Sequence, residues 1–162
     1  MTSLVDPKYQ DPHVIQRLLH SARTIAIVGL SANPLRPSHF VGFYLLRHGY
    51  RVIPVNPRER EVLGQRCLER LEQIDEPVDI VDVFREPSVV PEVAGAAATI
   101  GAKALWLQFG VIHEAGAAQA RAAGLDVVMD RCLKIEHARY LGRMHWLGFN
   151  TGVISARRTP LR

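Results

Sequence analysis

The segment TIAIVGLSANPLRPS (residues 24–38) decides the fold of this chain. Residues 24–28 form a short, continuous apolar run rich in β-branched side chains, which is typical of a strand covered on both faces. Gly29 follows at once, and a polar turn leads into a helical stretch for which Ser38 is a suitable N-cap. A strand, a glycine turn and a helix in this order indicate the first unit of a parallel α/β sheet.

The same rhythm continues along the chain. Further strands are predicted at residues 51–55, 78–83, 104–107 and 126–129, and helices over residues 14–20, 38–48, 88–100, 114–123 and 133–146. Strands that alternate with helices pair in parallel through right-handed crossovers. The sequence therefore predicts an α/β, three-layer Rossmann-like fold with a five-stranded parallel sheet in the order 3-2-1-4-5, its third strand at the margin.

Composition and charge narrow the class of protein. The 162 residues are 48% apolar and 22% charged, an ordinary globular balance. No apolar run is long enough to cross a membrane, and the start has no secretory pattern, so we expect a cytoplasmic protein with no membrane partner. Residues 1–147 are predicted to form a single domain and residues 148–162 a basic tail. The net charge of +4 is dispersed, which suits an anionic small molecule better than nucleic acid.

The polar turn after the first strand resembles a phosphate-binding turn but not that of an ordinary NAD site. In a doubly wound sheet, ligands bind beyond the carboxyl ends of the strands, at the switch point. The dinucleotide fingerprint G-x-G-x-x-G fails because Ser31 and Pro34 stand where its second and third glycines belong. The acidic residue expected after the second strand is also missing, since Val55 leads into Asn56.

Other strand ends carry unusual residues as well. Aromatic, amide and cationic groups follow the later strands, at Phe84-Arg85, Gln108-Phe109-Gly110 and Arg131-Cys132. A ligand that combines a ring with phosphates would use such groups. A plain connecting loop remains the alternative for each of these segments taken singly.

Five segments together resemble the stand-alone CoA-binding proteins, which share their fold with the CoA-binding domain of the succinyl-CoA synthetase α subunit. The segments are IAIVGLSANPLRPSH, GYRVIPVNPR, PVDIVDVFREP, LWLQFGV and VVMDRCLKIEH. The resemblance covers about residues 24–141 and implies CoA, or a short acyl-CoA, as the ligand.

The resemblance also implies roles for individual residues. It assigns the CoA phosphates to Gly29, Ser31, Ala32, Asn33 and Pro34, the nucleotide part to Asn56, Pro57 and Arg58, the adenine side to Val83, Phe84, Arg85 and Pro87, and pantetheine to Leu107, Gln108 and Phe109. The remaining candidates come from their places at strand ends or in the first turn: Leu30, Arg36, Ser38, Gly110, Arg131 and Cys132.

The chain departs from the synthetase in what it lacks. The synthetase carries a phosphorylated histidine in a second domain and takes its nucleotide from another subunit, and neither fits here. We therefore expect no complete catalytic apparatus, with a CoA-dependent partner enzyme as a possible source of chemistry. Two alternatives stay open, an NAD(P)-dependent oxidoreductase and a CoA-linked acyl-transfer partner subunit.

Isolated reactive residues do not change this expectation. His113 is predicted to cap the following helix, and neither it nor His39 is assigned a catalytic role. The two cysteines, Cys67 and Cys132, have no metal-ligand or disulfide-scaffold spacing, so no metal site is expected. A redox or acyl-carrier role for the Cys132 thiol is an open alternative to simple packing.

Overall fold

The computed structural model describes residues 5–142. Five α-helices are present in this part of the chain: α1 (Pro12–Ser21), α2 (Pro37–Arg47), α3 (Val90–Thr99), α4 (Glu114–Ala122) and α5 (Leu133–Tyr140). The strands are β1 (Thr24–Val28), β2 (Arg51–Val55), β3 (Glu61–Val62), β4 (Gln65–Arg66), β5 (Ile80–Val83), β6 (Ala104–Leu107) and β7 (Asp126–Met129). Single 3-10 turns cover Pro7–Gln10, Leu71–Gln73 and Pro87–Val89.

The main sheet has five parallel strands in the order β2-β1-β5-β6-β7, and β3 and β4 form a separate antiparallel hairpin. This confirms the predicted α/β Rossmann-like architecture. Leu68 adds a parallel bridge to Val55 outside β2, in the place of a third strand. With this bridge counted as strand three, the order is 3-2-1-4-5-6, so the expected 3-2-1-4-5 pattern is present in its first five members.

The position expected for the strand at 78–83 was wrong. That segment supplies β5, which lies between β1 and β6 instead of at the margin. All four residues of β5 are buried, as a central strand requires. The chain therefore reverses its direction of winding between β1 and β5, and this pair forms the switch point of the sheet.

Two apolar layers cover the sheet. Alternate strand residues such as Ile27 and Trp106 pack with α1, α2 and α5 on one face. Their neighbours, such as Val28 and Leu107, pack with α3 and α4 on the other face. This period-two division explains why the strands read as continuous apolar runs.

Several predicted helix boundaries need correction. Helix α2 begins at Pro37 with Arg36 as its N-cap, so Ser38 is not the cap, and α3 begins at Val90 rather than at residue 88. The proline rings at these starts fit the first turn, where a backbone donor is not needed. Helix α5 ends at Tyr140. Residues 143–146 of the predicted last helix and the predicted tail 148–162 lie outside the described residues.

The outer edge of β2 is partly covered. Leu68 donates its backbone N–H to the Pro54 carbonyl at 2.9 Å and accepts from the Asn56 N–H at 2.8 Å. Pro54 itself has no N–H to offer, which is tolerated because β2 is the last strand on this side of the sheet.

Candidate functional site

Gly29 and Phe84 meet at the switch point. Gly29 has a φ of +88°, and a Cβ placed there would lie 2.7 Å from the Phe84 carbonyl oxygen and 3.0 Å from Cδ of Arg85. The backbone hydrogen bond from Phe84 N–H to the Val28 carbonyl, 2.9 Å long, holds the two segments together. Glycine is thus required here both for its conformation and for the close approach of the β5 loop.

The β1 turn, which we define as residues 29–36, is closed by its own hydrogen bonds. The Ser31 N–H donates to Oγ of Ser38 at 3.0 Å, and the Asn33 N–H donates to Oγ of Ser31 at 3.1 Å. The Leu35 N–H donates to Oδ1 of Asn33 at 3.0 Å. Ser38, in the first turn of α2, therefore braces the β1 turn and is not the helix cap that the sequence suggested.

Two further hydrogen bonds link the turn to residues outside it. The Ala32 N–H donates to Oε1 of Glu59 at 3.2 Å, and Nδ1 of His39 donates to the Ser31 carbonyl at 2.9 Å. Three successive amides of the turn, those of residues 31–33, are thus already engaged. A ligand phosphate would have to displace these contacts or bind beside them, a feature that a phosphate-turn motif does not reveal.

Leu30 and Asn56 tie the β1 turn to the end of β2. The Leu30 side chain is fully buried in the layer under α2, so only its backbone can face a ligand. Nδ2 of Asn56 donates to the Leu30 carbonyl at 3.1 Å, and Oδ1 of Asn56 accepts from the Arg58 N–H at 3.0 Å. Asn56 therefore shapes the loop, and Arg58 lies beyond it on the surface.

Three cavities surround these strand ends. The large cavity, about 530 Å³, lies between α2 and the loops after β5, β6 and β7. The small cavity, about 240 Å³, lies on the other side of the β5 loop, beside α3. The outer cavity, about 320 Å³, lies between the β1 turn and α5.

Most of the predicted strand-end residues line these cavities. The large cavity is lined by Phe84, Arg85, Pro87, Gln108, Phe109, Gly110 and Cys132, among others. Pro57 lines the small cavity, and Pro34 and Arg36 line the outer one. Arg85 lines both the large and the small cavity. Its side chain is also paired with Glu86, with N–O distances of 3.1 and 3.2 Å.

Arg131, a candidate ligand-binding residue in the sequence, makes its contacts with other parts of the protein. Its Nη2 donates to Oε1 of Gln10 at 2.9 Å, and its Nε lies 4.0 Å from Oε1 of Glu136. Its backbone carbonyl accepts from Nε1 of the buried Trp106 at 2.8 Å. Arg131 thus fixes the loop after β7 to the N-terminal turn and the core.

The sequence missed a buried acid below the large cavity. Asp82 is fully buried in the central strand β5, and its Oδ1 accepts from Nε2 of Gln108 at 2.8 Å. Its Oδ2 is buried and has no hydrogen-bond partner among residues 5–142. Burial raises the pKa of Asp82 to about 8, so the carboxyl group is protonated at neutral pH. An acidic residue within an apolar strand indicates such a buried group. It was overlooked because the strand at residues 78–83 was expected at the margin of the sheet.

Cys132 lies at the wall shared by the large and outer cavities. The residue is 9% exposed and precedes α5 as its N-cap. Burial raises the pKa of the thiol, and backbone N–H groups of Ile135 and Lys134 lower it in part. A neutral, shielded thiol therefore faces the cavity system.

Other expectations concern metals, membranes and caps. Within residues 5–142, no group of three or more His, Cys, Asp or Glu side chains is placed to hold a metal ion. No helix in the same range is long and apolar enough to cross a membrane. His113 caps α4 as predicted, its Nδ1 accepting from the Gly116 N–H at 2.9 Å.

Comparison with known proteins gives this arrangement its context. The family described as the CoA binding domain matches residues 23–138. The chain belongs to this CoA-binding domain family. The match spans every strand of the main sheet and all the strand-end loops described above, which confirms the resemblance found in the sequence.

Individual relatives agree with this membership. The uncharacterized protein YneT of Bacillus subtilis is 40% identical over 124 residues, which cover 76% of this chain and 92% of YneT. A solved structure of a hypothetical protein from Pyrococcus horikoshii OT3 has a TM-score of 0.81 at 36% identity and covers 88% of this chain and all of that one.

A larger enzyme shares only the fold. The dinucleotide-forming acetyl-coenzyme A synthetase 1 of Ca. Korarchaeum cryptofilum has a TM-score of 0.59 at 22% identity. The similarity covers 68% of this chain but 26% of the synthetase. The fold of the chain described here therefore also occurs as one part of the much longer synthetase chain.

Proposed function

We propose that this protein binds coenzyme A, or a short acyl-CoA, along the cleft at the carboxyl ends of β1, β2, β5 and β6, as a binding protein without a complete catalytic apparatus. Family membership supports CoA as the ligand. One observation carries the assignment of the cleft: the large and small cavities flank the switch point and share a single cation, Arg85.

The chemistry of the two cavities suits the two ends of the ligand. The small cavity is lined by both charged and apolar groups, including Arg70, Glu92 and Val93, which suits a nucleotide. The large cavity is lined mainly by apolar residues such as Val41, Phe84 and Phe109, which suits a pantetheine arm. The CoA pyrophosphate would then lie near Gly29 and Arg85, where the two cavities meet.

Calorimetric titration with CoA tests this proposal. Arg85→Ala should weaken CoA affinity about tenfold, since a hydrogen bond to a charged group contributes about 1.5–3 kcal/mol. Arg47→Ala is the matched control, because Arg47 ends α2 and its guanidinium group lies 5.8 Å from the centre of the Phe43 ring, on the helix surface. Equal CoA affinity in the two variants would contradict the cleft as drawn.

The same titration separates the open alternatives. Binding of NAD or NADP in preference to CoA would favour an oxidoreductase and overturn the proposal. We further propose that residues 1–147 act as a single binding domain and residues 148–162 as a basic extension. A chain ending at residue 147 should then keep its CoA affinity, and a large loss of affinity would contradict that division.

A further inference from the structure

The three cavities at the strand ends form a series. The small and large cavities have Arg85 in common, and the large and outer cavities have Pro37, Val41 and Cys132 in common. Among residues 5–142, no lining residue is shared by the small and outer cavities, so the large cavity lies between the other two. An acyl-CoA has its parts in a matching order, since pantetheine separates the nucleotide from the acyl group.

The outer cavity has a mainly apolar wall. Its lining includes Leu35, Phe40 and Ile135 besides the residues that it shares with the large cavity. It contains no acidic side chain in the part of the chain that the structure describes. Its volume of about 320 Å³ is near the lower end of the roughly 300–1,000 Å³ that is usual for ligand sites. This space suits an apolar group that extends a ligand.

Two cationic side chains also line the outer cavity, Arg36 and Lys134. Nζ of Lys134 lies 4.6 Å from the centre of the Phe40 ring and 5.7 Å from that of Tyr44, so its charge is held over aromatic faces. The methylene stem of such a lysine covers apolar surface. Arg36 is exposed to solvent. The two charges thus have aromatic rings and water around them, which leaves the apolar wall to select the ligand.

Exposed apolar side chains are concentrated at this end of the cleft. Within residues 5–142, four large apolar side chains are exposed: Leu35, Phe40, Phe43 and Phe109. Three of them line the outer or the large cavity. Leu35 is 91% exposed, although its N–H is bonded to Oδ1 of Asn33 inside the closed β1 turn. A cluster of exposed apolar side chains marks a binding surface.

We propose that the outer cavity binds the aliphatic acyl group of an acyl-CoA whose pantetheine arm lies in the large cavity. This inference rests on the proposed function and defines its ligand more closely, as a thioester with an apolar chain. A chain that passes Val41 and Cys132 from the large cavity meets Leu35 and Phe40. It then covers apolar surface that is otherwise in contact with water.

Calorimetric titration of the full chain with CoA, hexanoyl-CoA and adipoyl-CoA tests the inference. Burial of one methylene group changes affinity about fourfold, so hexanoyl-CoA should bind roughly tenfold or more tightly than CoA. Adipoyl-CoA has the same chain length but ends in a carboxylate, and it should bind more weakly than hexanoyl-CoA because that charge loses water at an apolar wall. Equal affinities for CoA and hexanoyl-CoA, or adipoyl-CoA binding as tight as that of hexanoyl-CoA, would overturn the inference.

Phe40 and Phe43 provide matched variants on the same helix. Both rings are exposed and have a cationic group over them, Lys134 over Phe40 and Arg47 over Phe43, but Phe43 lines none of the three cavities. Phe40→Ala should reduce the ratio of hexanoyl-CoA affinity to CoA affinity to about threefold or less, whereas Phe43→Ala should keep it. Leu35→Ser changes an exposed side chain outside the core and should act like Phe40→Ala. The same ratio in Phe40→Ala and Phe43→Ala would contradict the assignment.

The same titrations keep this inference distinct from the proposed function. CoA binding without a preference for hexanoyl-CoA would reject the acyl site and leave the CoA site standing. Absence of binding by either ligand would reject both. Sedimentation velocity without ligand gives a further check: a dimer that Phe40→Ala dissociates would show that a second copy of the chain covers this wall, and would overturn the inference.

Discussion

The β1 turn and the large cavity lie at the same edge of the sheet but are built in opposite ways. The β1 turn satisfies its own backbone groups, with Ser38, Ser31 and Asn33 each accepting from a nearby N–H. Gln108 and the shielded thiol of Cys132 line the large cavity, and the Asp82 carboxyl group that bonds Gln108 has one buried oxygen, Oδ2, without a hydrogen-bond partner among the described residues. Hydrogen bonds thus fix the shape of the β1 turn, whereas a buried polar group near the large cavity keeps one oxygen without a hydrogen bond.

The largest expected effect comes from the contact on which the β1 turn depends. Gly29→Ala should lower the free energy of unfolding by roughly 3–5 kcal/mol, since positive-φ strain adds to a collision with backbone. Gly49→Ala is the control: its φ is +87°, but no atom of the described residues lies within 4 Å of the added Cβ. It should cost about 1 kcal/mol. Urea denaturation that gives equal losses would show that the close approach to Phe84 does not matter.

An intermediate effect is expected from the buried carboxyl group of Asp82, which bonds Gln108 in the lining of the large cavity. The folded-state pKa of Asp82 is raised to about 8, so the folded protein holds a proton that the unfolded chain has released. Its contribution to stability is present below about pH 4 and is lost as pH rises towards 8. Asp82→Asn removes the titrating carboxyl group, so the variant does not lose this stability as pH rises.

Denaturation at pH 5 and pH 8 measures the effect of Asp82. Relative to the wild-type protein, Asp82→Asn should gain on the order of 3 kcal/mol between the two pH values. His137 titrates in the opposite sense, because burial lowers its pKa to about 4 and its contribution rises with pH up to about 6.5. That contribution is common to both proteins and cancels in the comparison. If the difference in free energy of unfolding between Asp82→Asn and the wild-type protein is the same at pH 5 and pH 8, the Asp82 carboxyl group is solvated.

The smallest effect is expected from one brace of the β1 turn. Ser38→Ala removes the acceptor of the Ser31 N–H and should cost about 1 kcal/mol of stability. Ser21→Ala is the control, since that hydroxyl group bonds the Arg17 carbonyl on an exposed helix end. Thermal denaturation of both variants distinguishes them. A loss no larger than that of the control would mean that the turn keeps its shape without Ser38.

The sequence predicted the parts of the fold that depend on local pattern. The five strands of the sheet and the glycine at the switch point follow from apolar runs and turn residues. The place of β5 could not be read in this way, because strand order is set by which crossover passes over which face. Asp82 shows the consequence, because the central position of β5 makes this acid a buried, protonated group.

The candidate site was predicted at the level of loops rather than of contacts. Phe84, Gln108 and Cys132 do line one cavity, as their places at strand ends suggested. The contact between Arg131 and Gln10 could not be predicted, because Gln10 lies far away in the sequence. The engagement of the Ala32 amide by Glu59 could not be foreseen for the same reason. Long-range partners of polar groups are what a single sequence conceals.

The proline in β2 has a consequence for how the protein meets other chains. On the outer side of this strand, within the part of the chain that the structure describes, Pro54 has no donor and the Asn56 N–H is already used by Leu68. An incoming extended peptide would find an incomplete ladder of hydrogen bonds there, and such an edge resists lateral growth of the sheet. Assembly by strand addition is disfavoured along β2, which directs any partner towards the helical faces or the cleft.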